Sequence, residues 1–256
     1  MILKNKNGLS FYQFPNFSRF REIIHGVFTR ESGFSKPPFN CLNIGLNVGD
    51  DVKNVHKNRR VILECMDGLQ PVFLKQVHGT AVIKIDEQSI ASGGLPGRYL
   101  EGDAMVTSLP GIMPVIQVAD CQPVFLFDPT GKVVANIHSG WQGSIKNIIG
   151  HTINCMSVDF DSRPSDIIAG VGPSLGPCCA EFRNYRTEIP KQFWKYEIGN
   201  RYFDFWSISR DQLIAAGVLP ENISISGICT FCSSDLFFSY RKEVTTGRFA
   251  AVIGMA

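Results

Sequence analysis

The chain has 256 residues, 44% of them hydrophobic and 19% charged. That apolar content is enough for one large core and excludes a disordered chain. The 25 basic and 23 acidic residues leave a formal charge of +2, too small an excess for a protein that holds nucleic acid by bulk electrostatics.

Residues 1–14 hold no apolar run of signal-peptide length, so no export signal is expected. The first helix is expected from Asp50 to Met66. Asp50 or Asp51 is its N-cap, and Val52, Val55, Ile62, Leu63 and Met66 fall near helical spacing. Apolar, β-branched runs predict strands at 72–77, 82–85, 104–107, 113–118, 123–127 and 133–137. The Gly- and Pro-rich stretch Ser92-Gly93-Gly94-Leu95-Pro96-Gly97 reads as an ordinary loop. The segment 111–127 is the most apolar, but Gln117, Asp120 and Gln122 interrupt it, so no membrane span is expected. A second helix is expected from Ser144 to Met156, capped by Ser144. A third is expected from Ser207 to Ala216, ended by Gly217. Further strands are expected at 167–171, 223–228, 236–240 and 249–253. Many strands, few helices and no strict βαβ alternation predict an α+β fold. No repeat or convincing linker appears, so residues 1–256 are read as a single domain of mixed sheets flanked by helices.

Eight cysteines are about 3% of the chain, far below a disulfide scaffold, and reduced thiols in a cytoplasm are the default. Cys178-Cys179 is read as packed thiols. Cys229-x-x-Cys232 has no second C-x-x-C partner and is read as structural.

Three segments share one design: a strand-like run, a polar residue able to ligate a metal, then a turn. They are Gln76-Val77-His78-Gly79, Ala119-Asp120-Cys121-Gln122 and His138-Ser139-Gly140-Trp141. His78, Cys121 and His138 form a His2Cys set. Such a set suits zinc and leaves a fourth position for water, whose pKa can fall to about 7. Asp103 and Asp120 are candidates to orient a ligand imidazole. The ligands are 43 and 17 residues apart, without a compact signature. Spacing alone therefore favours two buried, hydrogen-bonded histidines and a core thiol over a metal site, since unpaired His and Cys are common in cores. His25, His56 and His151 are read as non-ligands, and Trp141 as packing behind His138.

Taken together, these segments resemble the YfiH, or laccase-domain, family. The likeness extends through Leu42-Asn43-Ile44-Gly45, Asn58-Arg59 and Asp103-Ala104-Met105-Val106-Thr107. It continues through Gly172-Pro173-Ser174-Leu175-Gly176-Pro177-Cys178-Cys179, Phe237-Phe238-Ser239-Tyr240-Arg241 and Thr246-Gly247-Arg248. The resemblance implies an α+β layered fold and a zinc held by His78, Cys121 and His138. It implies phosphorolysis of adenosine, inosine or methylthioadenosine, and hydrolytic deamination of adenosine. An alternative implied role is editing of peptidoglycan precursors by removing misincorporated serine from UDP-muramoyl-serine. It assigns Asn43, Arg59, Gln76, Asp103, Gln142 and Arg241 to substrate binding, with Arg248 as a further anion anchor. From their own residue types, Phe237, Phe238 and Tyr240 are stacking candidates for a purine, although as alternating strand residues some of them must be core. Gln142 departs from the family, which usually has a basic residue there; a phosphate would lose one charged partner. The laccase label would imply copper. A four-copper centre needs on the order of ten imidazoles, and the chain has five, so copper is expected only by mis-loading of the one site. The partners expected are thus a nucleoside and phosphate, with no nucleic acid and no membrane. A non-catalytic metal-binding interaction domain is the remaining reading from another class.

Overall fold

The computed structural model describes residues 1–91 and 100–256; the expected loop at 92–97 lies outside the described residues. The chain opens with β1 (Ile2–Lys6), β2 (Leu9–Gln13) and β3 (Ile23–Phe28). Helix α1 (Val52–Cys65) follows, then β4 (Gln70–Lys75), β5 (Val82–Lys84) and the short α2 (Glu87–Ala91). Next come β6 (Leu100–Glu101), β7 (Ala104–Thr107), β8 (Ile112–Val118), β9 (Gln122–Asp128) and β10 (Val133–Ser139). The remainder holds α3 (Trp141–Ile145), α4 (Ile148–Phe160), β11 (Ile168–Val171), α5 (Tyr185–Glu188), α6 (Phe205–Ala215), β12 (Ile223–Ile225) and β13 (Phe249–Met255).

These strands make two mixed sheets, ordered β1-β2-β3-β13-β8-β4-β6 and β12-β11-β9-β10-β7-β5. The sheets face each other across one apolar cluster. Ile116, Phe249 and Ile253 of the first sheet meet Phe125, Phe127 and Val134 of the second. Strand residues of opposite parity face outward onto helices. In β9, Val124 and Leu126 pack with Ile149 and Ile153 of α4. In β8 and β13, Met113, Val115 and Val252 pack with Ile62 of α1. The layers therefore run helix, sheet, sheet, helix. Both faces of the central strands are buried, which is why their sequences read as continuous apolar runs rather than alternating ones.

Several boundaries differ from the sequence expectation. The helix expected from Ser144 is two helices. Asn147 adopts a left-handed conformation (φ 60°) between them and caps α4 by accepting from the Gly150 N–H. The cap of α6 is Asp204, three residues before the expected start at Ser207, and its carboxylate accepts from the Ser207 N–H. Residues 236–240 are not a strand. Phe237 and Phe238 are buried in the core from a turn, and Tyr240 is exposed. Strands β1 to β3 are not among the expected ones; β1 is exposed throughout and shows no apolar alternation, whereas β2 buries Leu9 and Phe11 and β3 is mostly buried. At the start of α1, Asp51 accepts from the Lys53 N–H, as expected of one of the two candidates.

Candidate metal centre

The topology collects the three predicted ligands at one end of the molecule. Strands β4 and β8 run parallel, so the segments leaving them, with His78 and Cys121, emerge on the same side. Both segments cross from the first sheet to the second. The β9–β10 hairpin pairs His138 with Pro123, two residues from Cys121. The β7–β10 ladder pairs Ile137 with Ala104, which sets Asp103 beside His138.

The ligand atoms of His78, Cys121 and His138 lie within 4.8 Å of one another. Cys121 Sγ is 3.9 Å from His78 Nε2, and the two imidazole rings stand nearly perpendicular, 78° apart. Gly140 makes the room. A Cβ there would sit 2.8 Å from His78 Cδ2 and 3.2 Å from Cys121 Sγ.

Asp103 is fully buried and organises the cluster. Its Oδ1 lies 2.8 Å from His138 Nδ1, which turns Nε2 of that ring toward Cys121. The same carboxylate accepts from the backbone N–H of His78 at 2.9 Å and of Gly79 at 2.7 Å. These bonds hold His78 at φ 59°, a left-handed conformation unusual for a non-glycine residue. Burial pushes the Asp103 carboxyl up, but the bonds from His138 and Gly79 outweigh it and leave it below its usual range. Burial also raises the Cys121 thiol; the adjoining His138 and His78 overcome this and bring it down to about 6. Burial lowers His138, yet Cys121 and Asp103 draw it up to about 9. A thiol that ionises easily, two imidazoles and a carboxylate orienting one of them are the donor set of a catalytic zinc site. The residues present therefore fit a divalent metal.

Asp120, the other candidate for orienting an imidazole, does something else. Its carboxylate accepts from Thr230 Oγ1 and from the Arg241 N–H, both at 2.6 Å. It ties two distant loops together behind Cys121 rather than touching a histidine.

Two cavities meet at the centre, and His78, Cys121 and Tyr240 line both. The first, about 540 Å³, has a polar and basic wall that includes Arg59, Gln76, Gln117 and Arg248. Gln76 is held there by a two-way pairing with the Gln117 backbone, at 2.8 and 2.9 Å. Arg59 stacks over Phe73 and donates to the Ile44 carbonyl. Asn43 lies beneath this wall, fully buried. Its amide accepts from the Gly45 and Arg248 N–H groups and donates to Asp50. Its place is one of support for the loop and for Arg248.

The second cavity, about 340 Å³, is aromatic, with Trp141, Leu175, Phe182 and Phe205 on its wall and Arg241 at its edge. Trp141 does not pack behind His138 but faces this space, with its ring edge-on to Phe182 at 5.9 Å. Phe182 and Phe205 were missed as site residues, since nothing in their spacing links them to the three ligand segments. Phe237 and Phe238 belong to the core; of the three stacking candidates, only Tyr240 reaches a cavity. Gln142 sits half-exposed on α3, outside the lining of both cavities. The four cysteines read as packed or structural converge as a second cluster, with Cys178 and Cys232 exposed rather than packed.

The fold and site define a layered protein of two mixed sheets built around one His2Cys centre. Residues 24–256 match the family model described as multi-copper polyphenol oxidoreductase laccase, and the chain belongs to that family. It is 34% identical to the purine nucleoside phosphorylase YlmD of Geobacillus stearothermophilus, over 92% of this chain and 91% of that one. It is 32% identical to the purine nucleoside phosphorylase YfiH of Escherichia coli K12, over 88% and 90% of the two chains. Among solved structures, YlmD from Geobacillus stearothermophilus superposes with a TM-score of 0.87 at 32% identity, covering 99% of this chain and 98% of that one. A Bacillus licheniformis hypothetical protein YfiH gives 0.85 at 29% identity, covering 97% and 96%.

Proposed function

We propose that this chain is a zinc-dependent purine nucleoside enzyme. Its proposed reactions are phosphorolysis of adenosine, inosine or methylthioadenosine, and hydrolytic deamination of adenosine. The observation that carries the reading is the meeting of a basic cavity and an aromatic one at a single His2Cys centre. A nucleoside and phosphate have matching halves: a flat apolar base, a polar sugar and an anion. The names of the relatives support the same substrate class.

In this proposal the purine lies against Trp141 and Phe182, where a ring face finds aromatic partners. Phosphate is drawn to Arg59 and Arg248, whose guanidinium groups match its oxygens. That placement does not depend on Gln142, which offers hydrogen bonds without charge. Asp103 keeps the His138 ring fixed through Nδ1, so the reacting groups meet a rigid wall. Zinc held by His78, Cys121 and His138 would supply Lewis acidity at the junction of the two cavities. Copper on the same three ligands would be a mis-loaded form. Beyond His78 and His138 the sequence holds only three imidazoles, and His25 is buried in the core, so the chain has too few for a multicopper cluster. The proposed compartment is the cytoplasm, where eight unpaired cysteines stay reduced.

The test is an assay of zinc-replete protein with adenosine and inosine, with and without phosphate. Phosphate-dependent release of free base, and inosine from adenosine, are the expected products. If neither appears while UDP-muramoyl-serine releases serine, the proposal fails and the amidase reading replaces it.

A further inference from the structure

We infer that Cys178, Cys179, Cys229 and Cys232 form a second metal site, closed and structural, that takes a thiophilic divalent cation such as zinc. This inference stands apart from the nucleoside reading and does not need it. The four sulfur atoms come from two loops far apart in sequence and lie within 4.8 Å of one another. Cys232 Sγ is 3.7 Å from Cys178 Sγ and 3.5 Å from Cys179 Sγ. A zinc ion with Zn–S bonds of about 2.3 Å at the centre of a tetrahedron sets its sulfur atoms about 3.8 Å apart. The observed separations are already close to that edge length.

The backbone holds the two loops in place without a metal. Ser174 and Cys229 form a parallel bridge. The Thr230 N–H donates to the Ser174 carbonyl at 3.0 Å, and the Ser174 N–H to the Ile228 carbonyl at 3.2 Å. Gly176 allows the approach, since a Cβ there would lie 2.9 Å from Cys229 Cβ. The Gly176 N–H also donates to Cys229 Sγ at 3.3 Å, a bond that strengthens when the sulfur is a thiolate. Four thiolates around a divalent cation leave a net charge of −2. Lys242 donates to the Phe231 carbonyl, inside the Cys229–Cys232 turn, and brings a positive charge to that side.

Four sulfur ligands fill the coordination shell and leave no position for water or substrate, so the role is structural. Metal uptake forms the Zn–S bonds and releases the thiol protons to solvent, with no change of oxidation state. The loops that would be clamped carry Leu175 and Ala180 of the aromatic cavity, and Thr230, which bonds Asp120 behind Cys121. The second site thus buttresses the wall of the first.

The measurement is zinc content by mass spectrometry, on protein reduced, loaded with excess zinc and desalted. Wild-type protein is expected to hold about two equivalents and Cys121→Ala about one. The pair Cys178→Ser/Cys232→Ser, both at exposed positions, is also expected to hold about one. Cobalt-loaded Cys121→Ala is expected to show the sulfur-to-metal charge-transfer absorption of a tetrathiolate site. In the unmutated protein, zinc is expected to protect Cys178 and Cys232 from alkylation, and a chelator to restore their reaction. That arm needs no variant to fold. No zinc retained by Cys121→Ala, or alkylation of the exposed pair unchanged by zinc, would overturn the inference. None of these outcomes depends on nucleoside turnover, so the two proposals fail separately.

Discussion

At the scale of single residues, Asp103 carries more of the centre than any other side chain. It fixes one ligand ring through Nδ1 and holds the left-handed turn of another through backbone N–H groups. Replacing Asp103 by Asn keeps the shape and removes the charge. Zinc affinity at the centre should fall about 10- to 100-fold, read by competition with a chromophoric chelator. Unchanged affinity would show that the carboxylate does not organise the ligands. Gly140→Ala makes a different kind of test. The added methyl would collide with His78 Cδ2, so zinc occupancy at the His2Cys site should drop while thermal stability stays near wild type. Full occupancy in that variant would mean the ring has room to move. Both effects were only half-legible from the primary structure. Asp103 was named as a candidate beside Asp120, and only the β7–β10 register separates them. Gly140 reads as an ordinary turn glycine until the ring beside it is seen.

At the scale of elements, the interruption between α3 and α4 is the clearest departure from the periodic pattern. Ile145, Ile148, Ile149 and Ile153 suggest one continuous apolar stripe, yet Asn147 breaks the helix in a left-handed conformation and caps the second piece. A side chain that both tolerates that conformation and accepts from Gly150 decides the geometry. Asn147→Ala should therefore destabilise the protein by about 1–2 kcal/mol in urea unfolding, through the lost cap and the strained backbone. Asn147→Gly should recover part of that loss. Equal stability of the alanine variant would mean the cap contributes nothing. The central strands were legible because double-sided burial leaves long apolar runs, as in β8, β9 and β10. The first strand and the aromatic wall were not. The exposed β1 has no apolar face to read, and Phe182 and Phe205, whose ring centroids lie 5.3 Å apart, are brought together by tertiary packing alone.

At the scale of the whole molecule, the core between the sheets has a titratable weak point. His25 is buried among Phe14, Phe17 and Phe125, and its Nε2 accepts from the Phe14 N–H. Burial brings its pKa down from 6.5 to about 4. The folded protein thus holds the neutral ring where the unfolded chain already binds a proton. Its contribution to stability is complete above about pH 6.5, falls as the pH drops, and is gone below about pH 4. The stability difference between wild type and His25→Leu should shrink by about 3 kcal/mol between pH 7 and pH 4. A difference that stays constant with pH would remove His25 from the account. The same two-sheet frame explains why distant segments form one site: the crossovers carrying His78 and Cys121 pass from sheet to sheet at one end of the core, where the β10 terminus delivers His138. The three candidate ligands are therefore legible as residue types, while their convergence rests on strand order that no local pattern reveals. The central claim, that the reaction happens at these three side chains, is tested most directly by phosphate-dependent base release from inosine in wild type and Cys121→Ala, both folded and both incubated with the same excess of zinc. The account predicts a loss of at least about a hundredfold in the variant; turnover equal to wild type would contradict it.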